Sequence, residues 1–418
     1  LRLCMLSRKI FIIFFISFIF PQNALSGYGF GSSIDNSEAS SLGVSNELLP
    51  SFKSKVSLSN PSTWHNLLFS YLNTSVNVQN SVFQSSSSTN FSLSSAKLII
   101  PWKQKMAFGV SFEPFLSREV AISDSTFSSF SFNEEDILFS RINSSSGGPS
   151  KAQLSFGYKI NEKDSFGTNI NIIFGSSRST RNLIVDGENH LLQSRDYFSG
   201  NMIDLFYSTN RINIKEKPIF LSVAYSLPLN GIDIENDSYQ AFIDLNDNNY
   251  HDVNDFPNVG QALLPLTQNF KNELKINSFI IGADYEFSPR RHFQFELLQF
   301  SNNGKHSLDS SVYGGYIENK SKLSLSYIKF AQPFSRDRFN FKASMFFQNY
   351  GVKNLENINE VGLGLGIGYN FGITGNQIDF GYKYANRSGV HVVGDETLHM
   401  FNVGISIGDL WFVKRREI

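Results

Sequence analysis

Over residues 361–371, VGLGLGIGYNF, large apolar residues occupy alternate positions: Val361, Leu363, Leu365, Ile367, Tyr369 and Phe371 are separated only by Gly362, Gly364, Gly366, Gly368 and Asn370. Successive side chains of a strand point to opposite faces, so the pattern predicts a strand with one large apolar face and one nearly bare face. Its length suits a tilted strand of about 9 to 11 residues crossing the hydrocarbon core of a bilayer. The period of two recurs from about Leu67 onward. Met106, Phe108, Val110 and Phe112 alternate with small residues, as do Leu154, Phe156, Tyr158 and Ile160. Ile219 to Leu227, Phe279 to Phe287, Phe339 to Phe347 and Ile378 to Tyr384 repeat it.

No comparable stretch has a 3.6-residue apolar period, so the chain is predicted to be nearly all β. About sixteen candidate strands, many of about nine residues or more, suit a closed antiparallel transmembrane β-barrel better than a soluble sandwich. Lys103 to Lys105, Asn161 to Lys163 and Ser288 to Arg291 read as tight turns. Residues 175–200 and 228–272 read as long outer loops.

The first residues divide into Arg2, Arg8 and Lys9, the apolar run Ile10 to Phe20, and Ala24-Leu25-Ser26 before an expected cleavage at Gly27. That is the layout of an export signal peptide, residues 1–26, in which the apolar run is too short to span a membrane and ends at Pro21. Residues 27–65, rich in Ser, Asn and Gly, are expected to form an irregular N-terminal plug. The barrel then takes 66–412 and a basic tail 413–418. The single cysteine, Cys4, lies in the leader, so the exported chain has no thiol for a disulfide or a thiolate-bound metal.

Composition narrows the partners. Lys and Arg number 36 against 37 Asp and Glu, for a formal net charge of -1, so the clustered basic excess needed for nucleic acid is missing. Outer-membrane lipids are the expected surroundings. Trp102 and Trp411, each next to cations, are placed as strand ends at headgroup depth would be.

Catalytic constellations are missing from the pattern. His65, His190, His251, His292, His306, His391 and His399 are scattered without metal-ligand spacing. Gly404-Ile405-Ser406-Ile407-Gly408 matches a nucleophile elbow formally, but it sits within an alternating strand with no helix after it. An enzyme is therefore not expected. The sharpest local motif is 244–255, DLNDNNYHDVND. Its positions 1, 3, 5, 9 and 12 are Asp244, Asn246, Asn248, Asp252 and Asp255, all oxygen ligands, and Tyr250 would offer its carbonyl at position 7. Asn249 stands where glycine usually makes the turn. The loop is a candidate structural calcium (Ca2+) site, and the same residues also suit a solvated, turn-rich loop. Finally, Asp284, Glu286, Gln294, Glu296, Lys342, Asp379 and Lys383 fall on the parity opposite the apolar faces and are expected to line a polar lumen.

Several segments resemble the outer-membrane long-chain fatty acid transporter family (FadL/TodX-like), including its PorV-like branch. They are Ser40-Ser41-Leu42-Gly43, Asn60-Pro61-Ser62, Leu98 to Pro101 with Phe112 to Phe115, Ser146-Gly147-Gly148, Phe174-Gly175-Ser176, Ile358 to Gly362 and Asp409 to Arg415. Val44 and Ser62 depart from the family's Gly and Ala. The resemblance implies an outer-membrane β-barrel of about fourteen strands with an N-terminal luminal plug. It further implies passive uptake of long-chain fatty acids or other hydrophobic small-molecule ligands, released laterally into the membrane. The alternative expectation is a non-transporting barrel that serves a secretion-system or surface-protein partner.

Overall fold

The structure, a computed structural model, describes residues 23–409 apart from 36, 84–86, 133–134, 186–187, 215–216, 239–240, 247, 249–250, 259–271, 305–312, 333–336, 373–374 and 391–393. Fourteen antiparallel strands close into one barrel. They are β1 (Ser70–Val82), β2 (Ser87–Trp102), β3 (Met106–Pro114, resuming at Val120–Phe132), β4 (Glu135–Lys159), β5 (Asp164–Val185), β6 (Glu188–Ile214) and β7 (Lys217–Ser238). The circuit continues through β8 (Asn272–Leu274 with Ile276–Ser288), β9 (Arg291–Asn302), β10 (Tyr316–Lys329), β11 (Phe339–Lys353), β12 (Ile358–Phe371), β13 (Asn376–Val390) and β14 (Gly394–Asp409). β14 pairs back onto β1 from Thr397↔Val82 to Asp409↔Ser70, which satisfies both strand edges at the seam. Alternation alone suggested about sixteen runs, two more than the barrel has; β3 and β8 are each built of two segments in one barrel position.

On β12 the two faces separate as the sequence requires. Val361, Leu363, Leu365 and Ile367 are 46–57% exposed, while Gly362, Gly364 and Gly366 are buried. The neighbouring strands agree in sign: Phe341, Met345 and Phe347 point outward with Phe380 and Phe401, and Lys342, Asp379 and Lys383 point inward. Of the expected luminal residues, Asp284, Gln294 and Glu296 are also buried. Glu286 is the exception. It is exposed at the end of β8, where its carboxylate accepts the Arg290 backbone N–H at 2.8 Å.

The first expected loop is a strand pair, and the second begins as strand. Residues 175–185 and 188–200 form the paired ends of β5 and β6, in unbroken register from Gly175↔Phe198 to Val185↔Glu188. Within 228–272, β7 continues to Ser238 after a register shift between Pro228 and Ile232, and β8 begins at Asn272. The period-two signal fades there because it depends on one face being buried, and Ser176 to Arg181 carries polar residues on both parities. β6 thus runs 27 residues against 14 for β12. At about 3.3 Å per residue these are about 90 Å and about 45 Å, so β4 to β7 project beyond the rest of the barrel as a twisted sheet.

The leader as far as residue 22 and the tail from residue 410, with Trp411, lie outside the described residues. The expected cleavage point falls inside a buried 3-10 turn, Ala24–Gly27, capped by the Asn23 side chain, which accepts the Leu25 N–H at 3.1 Å.

Candidate functional site

Residues 23–66 contribute three short turns, Ala24–Gly27, Ala39–Leu42 and Pro61–Asn66, and are almost wholly buried against the inward strand faces. A chain this poor in regular structure leaves many backbone groups without partners of its own, and the barrel's polar face supplies them. Glu296 accepts the N–H groups of Glu47 at 2.7 Å and Leu48 at 2.9 Å. Gln294 donates to the Pro50 carbonyl at 2.7 Å, and Asn46 donates to Gln294 and Ser326. Lys342 donates to the Ser40 carbonyl and to Asp379, both at 2.9 Å. The inner segment reciprocates with its own charges. Lys53 donates to Asn370, Gln377 and the Gly375 carbonyl; Asp35 pairs with Lys320 at 2.6 Å and Glu38 with Lys97.

Two glycine tracks let backbone approach backbone. A Cβ on Gly43 would lie 2.6 Å from the Gly366 Cα, so the first landmark seats directly on the glycine face of β12. A Cβ on Gly157 would lie 2.0 Å from the Pro61 carbonyl oxygen, and one on Gly109 would lie 2.5 Å from the Trp64 ring. The two departures from the family pattern are accommodated. Val44 is fully buried with Ile328 and Phe330, and the Ser62 hydroxyl is bonded to Asn60 and Ser208, each at 2.7 Å.

The wall itself is interrupted between β2 and β3. Pairing between β2 and β3 runs from Trp102↔Met106 to Ala96↔Phe112 and extends no further among the described residues. There β3 leaves the wall. Leu116 and Ser117 turn inward to pair with Ser33 and Ser32, and Arg118 is buried beside Asp196, Ser177 and the Phe30 ring. On the opposite side Gly147 and Gly148, at φ +85° and +146°, make room: a Cβ on Gly148 would lie 2.3 Å from the Leu116 carbonyl oxygen. Behind the gap, Ser37 donates to Glu113 at 2.6 Å, and its carbonyl accepts Ser94. The sequence held the signal for this kink in Pro114, Arg118 and the Gly147-Gly148 pair, but no periodicity marks such a turn.

A cavity of about 180 Å³ lies between the inner segment and β2 to β10. One wall is apolar, with Leu48, Met202, Phe206, Ile280 and Leu298; the other carries Lys97, Glu113, Lys151, Asn169 and Asp204. In the inner segment, burial disfavours the Asp35 carboxylate, yet Lys320 and Lys322 outweigh it and hold its pKa well below the usual range. Burial, with Asp35 nearby, pushes the Glu47 carboxyl up. Burial also draws Lys53 down to about 8.

The motif 244–255 folds as a closed turn outside the lumen. Asp244 and Asp255 are buried, Asn246 and Asn248 donate to Asp252 at 3.1 and 2.8 Å, and the Asp252 N–H bonds Asp255 at 2.6 Å. Tyr250 lies outside the described residues. Among the described residues no group of three or more His, Cys, Asp or Glu side chains converges as a metal would require. Ser406 is buried in β14, its hydroxyl accepting from Asn73 at 2.8 Å, with no elbow around it.

A closed fourteen-strand barrel with its N-terminal segment bound inside defines a class, that of the barrels with occupied lumens. The sequence profile of the BamG family matches residues 6–417, and the chain belongs to that family. Its fold is similar to a FadL homologue of Pseudomonas aeruginosa, at 11% identity and a TM-score of 0.57 over 90% of this chain and 99% of that one. It is likewise similar to the CymD monoaromatic hydrocarbon channel (11%, TM-score 0.53, 93% and 99%) and to the toluene transporter TbuX of Ralstonia pickettii (10%, 0.51, 91% and 98%). At this identity the likeness establishes the fold. Comparison with the curated proteins gives no match.

Proposed function

We propose that this chain is an exported outer-membrane barrel that passes small hydrophobic compounds passively, through the luminal cavity and out sideways between β2 and β3. The observation that carries the reading is the interrupted β2–β3 ladder with a cavity directly behind it, lined by Glu113, Pro114 and Phe115. A wall that must satisfy every backbone group in lipid gains nothing from such a break unless something uses it. A toluene transporter and a monoaromatic hydrocarbon channel among the similar folds support the same class of cargo. Size sharpens it: an apolar cavity of about 150 Å³ holds one benzene, so about 180 Å³ suits a single ring better than a long-chain fatty acid. The test is to join Ser37→Cys to Ser94→Cys with a short bis-thiol reagent and follow labelled toluene into proteoliposomes. Uptake should fall to the protein-free level and return on reversal; uptake indifferent to the bridge overturns the route.

A second reading rests on the projecting sheet of β4 to β7, which offers a docking surface outside the lipid and suits a non-transporting, PorV-like partner in secretion or surface assembly. A stoichiometric protein partner in native mass spectra, together with no toluene uptake, would favour it. We also propose that the 244–255 turn takes calcium as a loop-ordering ion, supported by five of the six ligand positions sharing one hydrogen-bonded turn.

A further inference from the structure

We infer that the luminal cavity is a binding site for a small cationic amphiphile, an apolar body of about one aromatic ring carrying a protonated amine. The inference rests on the proposed passage of small hydrophobic compounds and names the head group that the passage selects.

Among the described residues, one carboxylate of the cavity wall has no direct ion pair. Lys97 is bonded to Glu38, Lys151 to Glu113 at 3.0 Å, and Lys320 to Asp35 at 2.6 Å. Lys322 stands 4.0 Å from Glu47. Asp204, buried on β6, has no ion pair among the described residues; the nearby Lys151 feels its charge but is bonded to Glu113. Among the described residues its hydrogen-bond partners are the side-chain amides of Asn169 at 3.2 Å and Asn171 at 2.8 Å, both donating to Oδ2. Oδ1 is left for an occupant. Beside it, Asn169, directly opposite Asp204 in the β5–β6 register, is 5% exposed and its Oδ1 has no hydrogen-bond partner. A buried carbonyl without a donor has lost its water and gained nothing in return, so the site holds an acceptor that a ligand N–H would satisfy.

The same strand supplies the apolar half. Met202 and Phe206 flank Asp204 on the inward face of β6, and Leu48, Ala224 and Ile280 pack with Phe206. An ammonium on Asp204 and Asn169 would therefore place a ring against Phe206, Ile280 and Leu298, at the volume the cavity offers. A carboxylate head is disfavoured there, because the lysines that could receive it are already bonded to Glu38, Glu113 and Asp35.

The test compares three probes of similar size, 2-phenylethylamine, 3-phenylpropanoate and toluene, by calorimetry on the full chain in a neutral detergent at pH 7. The amine should bind at least tenfold more tightly than either of the others. Asp204→Asn should weaken it by tenfold or more, with heat-modifiable gel mobility confirming a closed barrel. Asn169→Leu, which removes the free carbonyl without touching a charge, should weaken the amine severalfold and serves if Asp204→Asn does not assemble. Toluene binding as well as the amine, or equal amine affinity in the variants, overturns the inference but leaves the transport reading standing. Binding of none of the three, with no toluene uptake in proteoliposomes, overturns both.

Discussion

Gly43 and Gly366 meet backbone to backbone: a Cβ added to Gly366 would stand 3.2 Å from the Gly43 Cα, and one added to Gly43 would stand 2.6 Å from the Gly366 Cα. The inner segment therefore rests on the bare face of β12, while the other face of the same strand is turned outward. Gly366→Val is expected to loosen the inner segment without preventing barrel closure. Trypsin should then cut near Lys53 and Lys55 in folded protein, and the heat-modifiable gel shift should persist. Leu365→Arg, one residue away on the outward face, should instead lower the yield of inserted barrel, since a cation at mid-membrane on a barrel's lipid face costs about 2–4 kcal/mol. If both variants behave alike, the assignment of faces is wrong.

Arg387 donates to Asn23 at 2.9 Å, and Ala24 and Leu25 pack with Tyr28, Tyr313 and Val352. Export processing before Gly27 would remove these contacts. The mature chain is therefore expected to retain Asn23 to Ser26, and the intact mass of protein purified from membranes decides it. A mass beginning at Gly27 would mean that this corner of the lumen is rebuilt after cleavage.

Arg118 and Asp196 form a buried ion pair that holds the inturned part of β3. Removing one member of such a pair strands the other charge and typically costs about 3–5 kcal/mol. Arg118→Met should lower the urea midpoint accordingly and increase proteolysis near Leu116. An unchanged midpoint would show that Gly147 and Gly148 suffice to set the kink.

Lys53 is held by burial at about 8 against an ordinary 10.5, so the folded state prefers its neutral form. Between these values the unfolded chain binds more protons than the folded one, and stability rises with pH. The penalty is complete below about 8 and relieved by about 10.5. Relative to Lys53→Met, the wild type should gain stability as pH is raised from 8 to 10.5. A constant difference across that window would place the ammonium in contact with water.

Calcium is expected to bind the 244–255 turn with measurable heat, which Asp244→Ala and Asp255→Ala should abolish. Chelator should also increase proteolysis within the turn. An athermal titration of wild type, with unaltered proteolysis, removes the ion from the picture.

The sequence by itself determined the β architecture, the closed barrel and the sidedness of its strands. Alternation in runs such as Val361 to Phe371 is a local property, enforced wherever one face meets apolar surroundings and the other does not. It also marked the tight turns and most inward charges. It did not mark the long hairpin of β5 and β6, where Ser176 to Arg181 is polar on both parities, and it read residues 175–200 as a loop. Tertiary structure alone decided what the lumen contains. Glu38 reaches Lys97 across 59 positions and Glu47 reaches Glu296 across 249. The kink of β3 depends on glycines about thirty residues later in the chain. Asp204 emerges as a cavity carboxylate held by amides and by no direct ion pair among the described residues only once its neighbours' charges have found partners, because pairing depends on distance in space and leaves no period along the chain.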